Sequence, residues 1–190
     1  FISEIGIDAY HKNMNDGIRE LKSNDFKELF VEEIKKDGYY VESCTIETDL
    51  EIFIPDTYVS DIVERLKLYK RLDSIEEDSE TEKLKSELTD RFGKIPKQTE
   101  ELFEVVKLKH LAKKLAIEKL FIKRGKMIAY FITDKESEFF QGEAFGKIIY
   151  HVQCYPQQCL LQESTERLTL TVSHIKDIHS AVLTLQNMIK

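Results

Sequence analysis

No apolar run in this chain approaches the roughly 20 residues that a membrane span requires. No basic segment followed by a short apolar stretch opens it as a secretory leader would, so a cytoplasmic setting is the expectation. Cysteine is scarce: Cys44, Cys154 and Cys159 are an odd number in a chain too large to need staples, which points to reduced thiols rather than a disulfide framework. The seven glycines never form the Gly-rich loop followed by Lys and Ser or Thr that cradles phosphates, so this chain is not expected to bind or hydrolyse ATP. Neither a Gly-x-Ser-x-Gly elbow nor a His-Glu-x-x-His zinc helix occurs. Internal repeats and low-complexity segments are missing as well. Basic excess is also lacking, and the formal charge of −7 argues against a broad electrostatic footprint for phosphate backbones.

What is present is a soluble globular composition, 42% apolar and 33% charged, in 190 residues. That length suits one domain of ordinary size plus an appendage. The chain opens on Phe1 inside an apolar-periodic pattern, so the expectation is a piece of a longer polypeptide whose other part holds the chemistry. Its charge is unevenly placed. Eight acidic residues against Lys83 and Lys85 lie between Asp73 and Asp90, and eight basic residues against Glu118 between Lys107 and Lys126. Such asymmetry suits a surface that meets a basic partner.

Ile7, Tyr10, Met14, Ile18 and Leu21 recur at helical spacing, and a short helical stretch from Phe26 to Lys35 stops at Asp37-Gly38. Residues 1–38 therefore read as a helical tail and linker, and 39–190 as one compact domain. In the second part, alternation from Val41 to Ile54 predicts a strand ended by Pro55. Asp56 or Thr57 is expected to cap a helix whose buried stripe is Val59, Ile62, Val63, Leu66, Tyr69 and Leu72. The acidic stretch Ser74–Thr81 reads as a connector or frayed helix start, followed by a helix lined by Leu84, Leu88 and Phe92. Gly93 falls where a left-handed cap belongs, and Pro96 blocks continuation. A long helix over 97–115 follows, burying Leu102, Val105, Val106, Leu108, Leu111, Ala112 and Leu115. Runs 119–123 and 127–133 around Arg124-Gly125-Lys126 predict a hairpin. A helix over 137–152, a strand pair at Leu160-Leu161 and Leu168–Val172, and a helix on Ile175, Ile178, Val182, Leu185 and Ile189 complete an α+β fold of helices packed with small antiparallel strand pairs.

His151, Cys154 and Cys159 could gather near a helix end as three soft ligands, but the second Cys-x-x-Cys or His pair of a zinc site is missing, and no metal is expected. The basic residues of 107–126 could form a nucleic-acid accessory surface. Their placement along a helix and a hairpin, without interleaved aromatics, reads instead as a solvated face. The acidic helix end is the more specific feature. Glu87 and Asp90 stand three apart, so their carboxylates project from neighbouring positions and can engage one partner together, with Arg91 beside them. Asp90 also sits in a last turn, where the helix dipole disfavours negative charge.

Three motifs are informative together: Ile54-Pro55-Asp56-x-Tyr58, the run Leu68-Tyr69-Lys70-Arg71, and Asp90-Arg91-Phe92-Gly93. Through them, residues 40 to 116 resemble the C-terminal (TRCF) domain of the bacterial transcription-repair coupling factors, the Mfd family. Thr89 departs from the isoleucine that the family often carries. The resemblance implies a non-catalytic regulatory domain of a DNA translocase. Glu87 and Asp90, with Arg91, would dock on arginines of an N-terminal UvrB-like module and hide the surface that UvrA recognises until the motor engages RNA polymerase. It further implies that residues 1–22 leave the second motor lobe, and that ATP, magnesium and DNA belong to the parent motor, with no cofactor and no membrane for this part.

Overall fold

The computed structural model describes residues 38–190. Expectations for the segment before Gly38, including both of its helices, lie outside the described residues. Tyr40–Lys190 form one compact unit. Strand β1 (Thr45–Thr48) is followed by α1 (Ile62–Asp73), α2 (Asp78–Phe92) and α3 (Lys97–Lys114). The hairpin β2 (Ile117–Lys123) and β3 (Lys126–Phe131) comes next. Then follow a 3-10 turn (Glu138–Gln141), α4 (Glu143–Cys154), β4 (Cys159–Glu163), β5 (Leu168–Ser173) and α5 (Ile178–Ile189).

Both expected hairpins form, and they join. β3 pairs with β5 and β1 adds in parallel to β2, giving one five-stranded sheet in the order β1-β2-β3-β5-β4. The fold is α+β, as the sequence indicates. One face of the sheet, carrying Leu120, Ile122, Met127, Ala129, Leu170 and Val172, packs with α3, α4 and α5 into the larger core. A second core lies between α1, α2 and the first half of α3, around Leu68, Leu72, Leu84, Leu88, Phe103 and Val106. Because α3 serves both cores, its apolar residues run most of the way around it rather than in one stripe. Phe103, outside the expected list, is fully buried.

Several local expectations are corrected. The strand expected over Val41–Ile54 is only four residues long. Beyond it the chain leaves the sheet, and its amides turn to side chains: Leu50 N–H donates to Thr48 Oγ1 at 3.1 Å and Ile54 N–H to the Tyr69 hydroxyl at 2.8 Å. Helix α1 is capped by Asp61, whose Oδ1 accepts from Glu64 N–H at 2.9 Å, and not by Asp56 or Thr57. Those two precede the helix in a turn whose Tyr58 and Val59 amides bond to Pro55 O. The α1 stripe is also rephased. Val59, Leu68 and Leu72 are buried, whereas Ile62, Val63 and Leu66 stand 41, 57 and 51% exposed on the outer side. At about 100° per residue, Leu66 lies nearly opposite Leu68 on the helix. The single helix expected over 137–152 breaks at Gly142 into a 3-10 turn and α4. The break lets Phe139, Phe140 and Phe145 gather, with ring centroids 5.1–5.6 Å apart. Finally, the acidic stretch before Thr81 is an ordered helix start: Glu80 Oε2 accepts the Glu76 and Glu77 amides at 3.0 and 3.4 Å. A carboxylate there complements the helix dipole.

Candidate functional site

The acidic end of α2 is built by the residues of the three motifs. Tyr69 in α1 holds the Ile54 amide. Tyr58, in the turn before α1, brings its hydroxyl to 3.0 Å from Leu88 O and 3.1 Å from Gly93 O, so its one proton ties that turn to the end of α2. Its ring meets Phe92 edge-on at 5.8 Å. Gly93 terminates the helix at φ 84° and ψ −159°, a region open essentially to glycine alone. The glycine cap expected there is present, although its ψ is not that of a left-handed helical residue. Thr89, where the family often carries isoleucine, is exposed, with its hydroxyl donating to Lys85 O at 2.8 Å.

Glu87, Asp90 and Arg91 share this helix end but not one environment. Arg71 of α1 forks onto Glu87, with Nη1 to Oε1 at 2.8 Å and Nη2 to Oε2 at 2.7 Å, and Arg91 adds a contact to Oε1 at 3.2 Å. Arg91 also pairs with Glu64 at 2.8 Å, so two carboxylates and two guanidiniums bracket α1 to α2. Chiefly through the Arg71 fork, with a smaller contribution from Arg91, the Glu87 carboxyl is held down to about 2 from the usual 4.5. Of its acceptor positions, Oε1 is filled twice and Oε2 once, which leaves one lone pair of Oε2 for a visitor. Glu87 is therefore already committed to its own chain, and Arg91 is a brace. Asp90 differs. It is exposed, and among the described residues its carboxylate makes no hydrogen bond or ion pair. Ser86, Glu87, Thr89 and Asp90 line an open depression on the same flank.

His151, Cys154 and Cys159 do not converge. The His151 ring lies against Tyr155 at 4.7 Å, Cys154 is exposed, and Cys159 is buried on the core side of β4. Among the described residues, no group of three or more His, Cys, Asp or Glu side chains could hold a metal ion. Among the described residues, four of the eight basic residues of the stretch pair with carboxylates: Lys107 with Glu104, Lys109 with Asp73, and Lys119 and Lys123 with Glu47. No helix among the described residues is long and apolar enough to cross a membrane.

Comparison with known proteins supplies what geometry cannot. The family model of the TRCF domain matches residues 48–141, the span that runs from the end of β1 through α1, α2, α3 and the first hairpin and holds the motif residues. The chain contains a TRCF domain. A transcription-repair-coupling factor of Rickettsia bellii is 38% identical over 119 residues, covering 63% of this chain and 10% of that protein. The corresponding factor of Bacillus subtilis is 31% identical over 145 residues, covering 75% of the chain and 11% of the relative. A crystal structure of the C-terminal domain of a transcription-repair coupling factor superposes with a TM-score of 0.62 at 20% identity, covering 78% of this chain and 92% of that one. That likeness fixes the fold. The chain spans only about a tenth of the length of these curated relatives.

Proposed function

We propose that this TRCF domain is a docking module of a transcription-coupled DNA repair factor in the bacterial cytosol. The end of α2 closes on arginines of the factor's N-terminal UvrB-like module, masks the surface that UvrA recognises, and restrains the motor until RNA polymerase is engaged. ATP, magnesium and DNA are handled by the motor, and this domain takes no part in hydrolysis.

The observation that carries this reading is Asp90, an anion exposed in the last turn of a helix with no partner of its own among the described residues. The helix dipole disfavours it there by several tenths of a kcal/mol. A sequence shaped for stability alone gains by placing a cation at this position. Glu87 contributes differently: its two guanidinium partners fix the carboxylate, and one lone pair remains for an incoming donor. Asp90 is the principal anchor and Glu87 the secondary one, with Arg71 and Arg91 positioning Glu87.

Such contacts suffice for a reversible latch. Close interfacial charge pairs couple by about 1.5 kcal/mol or more, too little for a tight complex between separate molecules. Within one polypeptide, a tether at roughly millimolar effective concentration holds a contact of micromolar intrinsic affinity closed about a thousandfold. In the full-length factor, Asp90→Lys together with Glu87→Lys is expected to raise affinity for UvrA. Unchanged UvrA affinity would remove the proposal.

A further inference from the structure

The second face of the sheet carries a chemistry that docking through α2 does not use. Alternation puts Phe121, Ile128 and Tyr130 opposite the core residues of their strands, and none of the three belongs to either hydrophobic core. Register aligns Glu47, Phe121, Ile128, Thr171 and Leu160 in one row across all five strands, with Lys119 beside Tyr130 in the next. Since α3, α4 and α5 all pack on the core side, no helix among the described residues covers this face. At its centre Phe121 and Tyr130 meet edge-on at 5.6 Å. The ammonium groups of Lys119 and Lys123 lie 4.4 and 5.3 Å from the Phe121 centroid. These two lysines share the single carboxylate of Glu47, at 2.6 and 3.5 Å. Arg124 and Lys126, on the adjoining turn, are exposed, and their side chains make no bond among the described residues.

We propose that this face binds single-stranded nucleic acid, with unpaired bases stacking on Phe121 and Tyr130 and phosphates met by Lys119, Lys123, Arg124 and Lys126. Phe121 and Tyr130 are half-buried, and the part of each ring left exposed offers a surface on which unpaired bases can stack and duplex bases, held inside a helix, cannot. Four cations against Glu47 and Asp49 give the patch a local positive excess within a chain of net charge −7. That excess selects a polyanion over a second copy, whose own cations would oppose it. The sequence hides this arrangement because strand alternation, rather than helical spacing, interleaves the aromatics with the lysines. The proposal is independent of the docking reading.

The test is fluorescence anisotropy of a labelled oligo-dT of about 12 nucleotides, a length within the range of known single-strand sites, titrated with the whole chain at low salt. Binding is expected, with a log–log salt slope of about −3, from roughly four phosphate contacts at −0.7 each. Phe121→Ala and Phe121→Leu should each weaken it about tenfold or more, since leucine keeps the bulk but not the π-face. Lys123→Glu with Lys126→Glu should flatten the slope. Circular dichroism confirms that each variant is folded, which the position of these residues outside both cores favours. The proposal is overturned by no anisotropy change at about 100 μM chain, the weak end of non-specific nucleic-acid binding. It is equally overturned by Phe121 variants that bind as the parent does, or by polyglutamate competing as well as oligo-dT, which would mark an acidic protein partner instead.

Discussion

Replacing Glu87 by glutamine removes one charge while keeping the side chain's length, and so isolates the ion-pair bracket between α1 and α2. Glu87 accepts the two-pronged Arg71 contact at 2.8 and 2.7 Å and the Arg91 contact at 3.2 Å, but its side chain is 35% exposed. Solvent screening therefore limits the worth of the bracket. Exposed pairs contribute up to about 1 kcal/mol, and fork geometry with a second guanidinium argues for that upper value. In a domain of this size, about 1 kcal/mol lowers the melting temperature by roughly 2–4 °C. The pH dependence follows from the depressed carboxyl, near 2 when folded against the usual 4.5. A group that loses its proton more readily in the folded state stabilises fully above its unfolded pKa, and less as pH falls toward the folded value. Urea titrations of the parent and Glu87→Gln should differ by about 1 kcal/mol at pH 6, and the gap should narrow from pH 4.5 downward. Equal stabilities at pH 6, or a gap that does not change with pH, would refute the reasoning.

Two further outcomes follow from the same region and the core. Gly93→Ala is expected to cost about 1–3 kcal/mol, because no atom lies within 4 Å of the added methyl and φ 84° with ψ −159° is strained for any side chain; a denaturation midpoint unchanged from the parent would contradict this. Burial pushes the Cys44 thiol up to about 12 and raises Cys159 less, whereas Cys154 is exposed. Brief alkylation of the native chain followed by peptide mass mapping should therefore label Cys154 first, and equal labelling of Cys44 would show that the core opens more readily than its packing indicates.

How far the sequence reaches can be read from particular residues. Helices α2 and α3 and the first hairpin were legible, because Gly93, Pro96 and Arg124-Gly125 punctuate them unambiguously. Helix α1 was legible as a helix but not in phase. It carries apolar residues on two opposite faces, and periodicity alone does not say that Leu68 rather than Leu66 points inward. The length of β1 depends on where β2 ends and on the Tyr69 hydroxyl reaching the Ile54 amide, both of them long-range facts. In the candidate site, the acidic pair was visible from spacing, whereas its asymmetry was not. Arg71 lies sixteen residues before Glu87, and only the packing of α1 on α2 brings its guanidinium to that carboxylate, while Asp90 has no such partner among the described residues.

The most direct measurement is the affinity of this chain for the separately expressed N-terminal UvrB-like module, compared among the parent, Glu87→Lys and Asp90→Lys by calorimetry at low salt. Weak, salt-sensitive binding by the parent is predicted, with Asp90→Lys weakening it about tenfold or more while leaving stability within about 0.5 kcal/mol, and Glu87→Lys weakening both. Binding that survives Asp90→Lys undiminished would contradict the account.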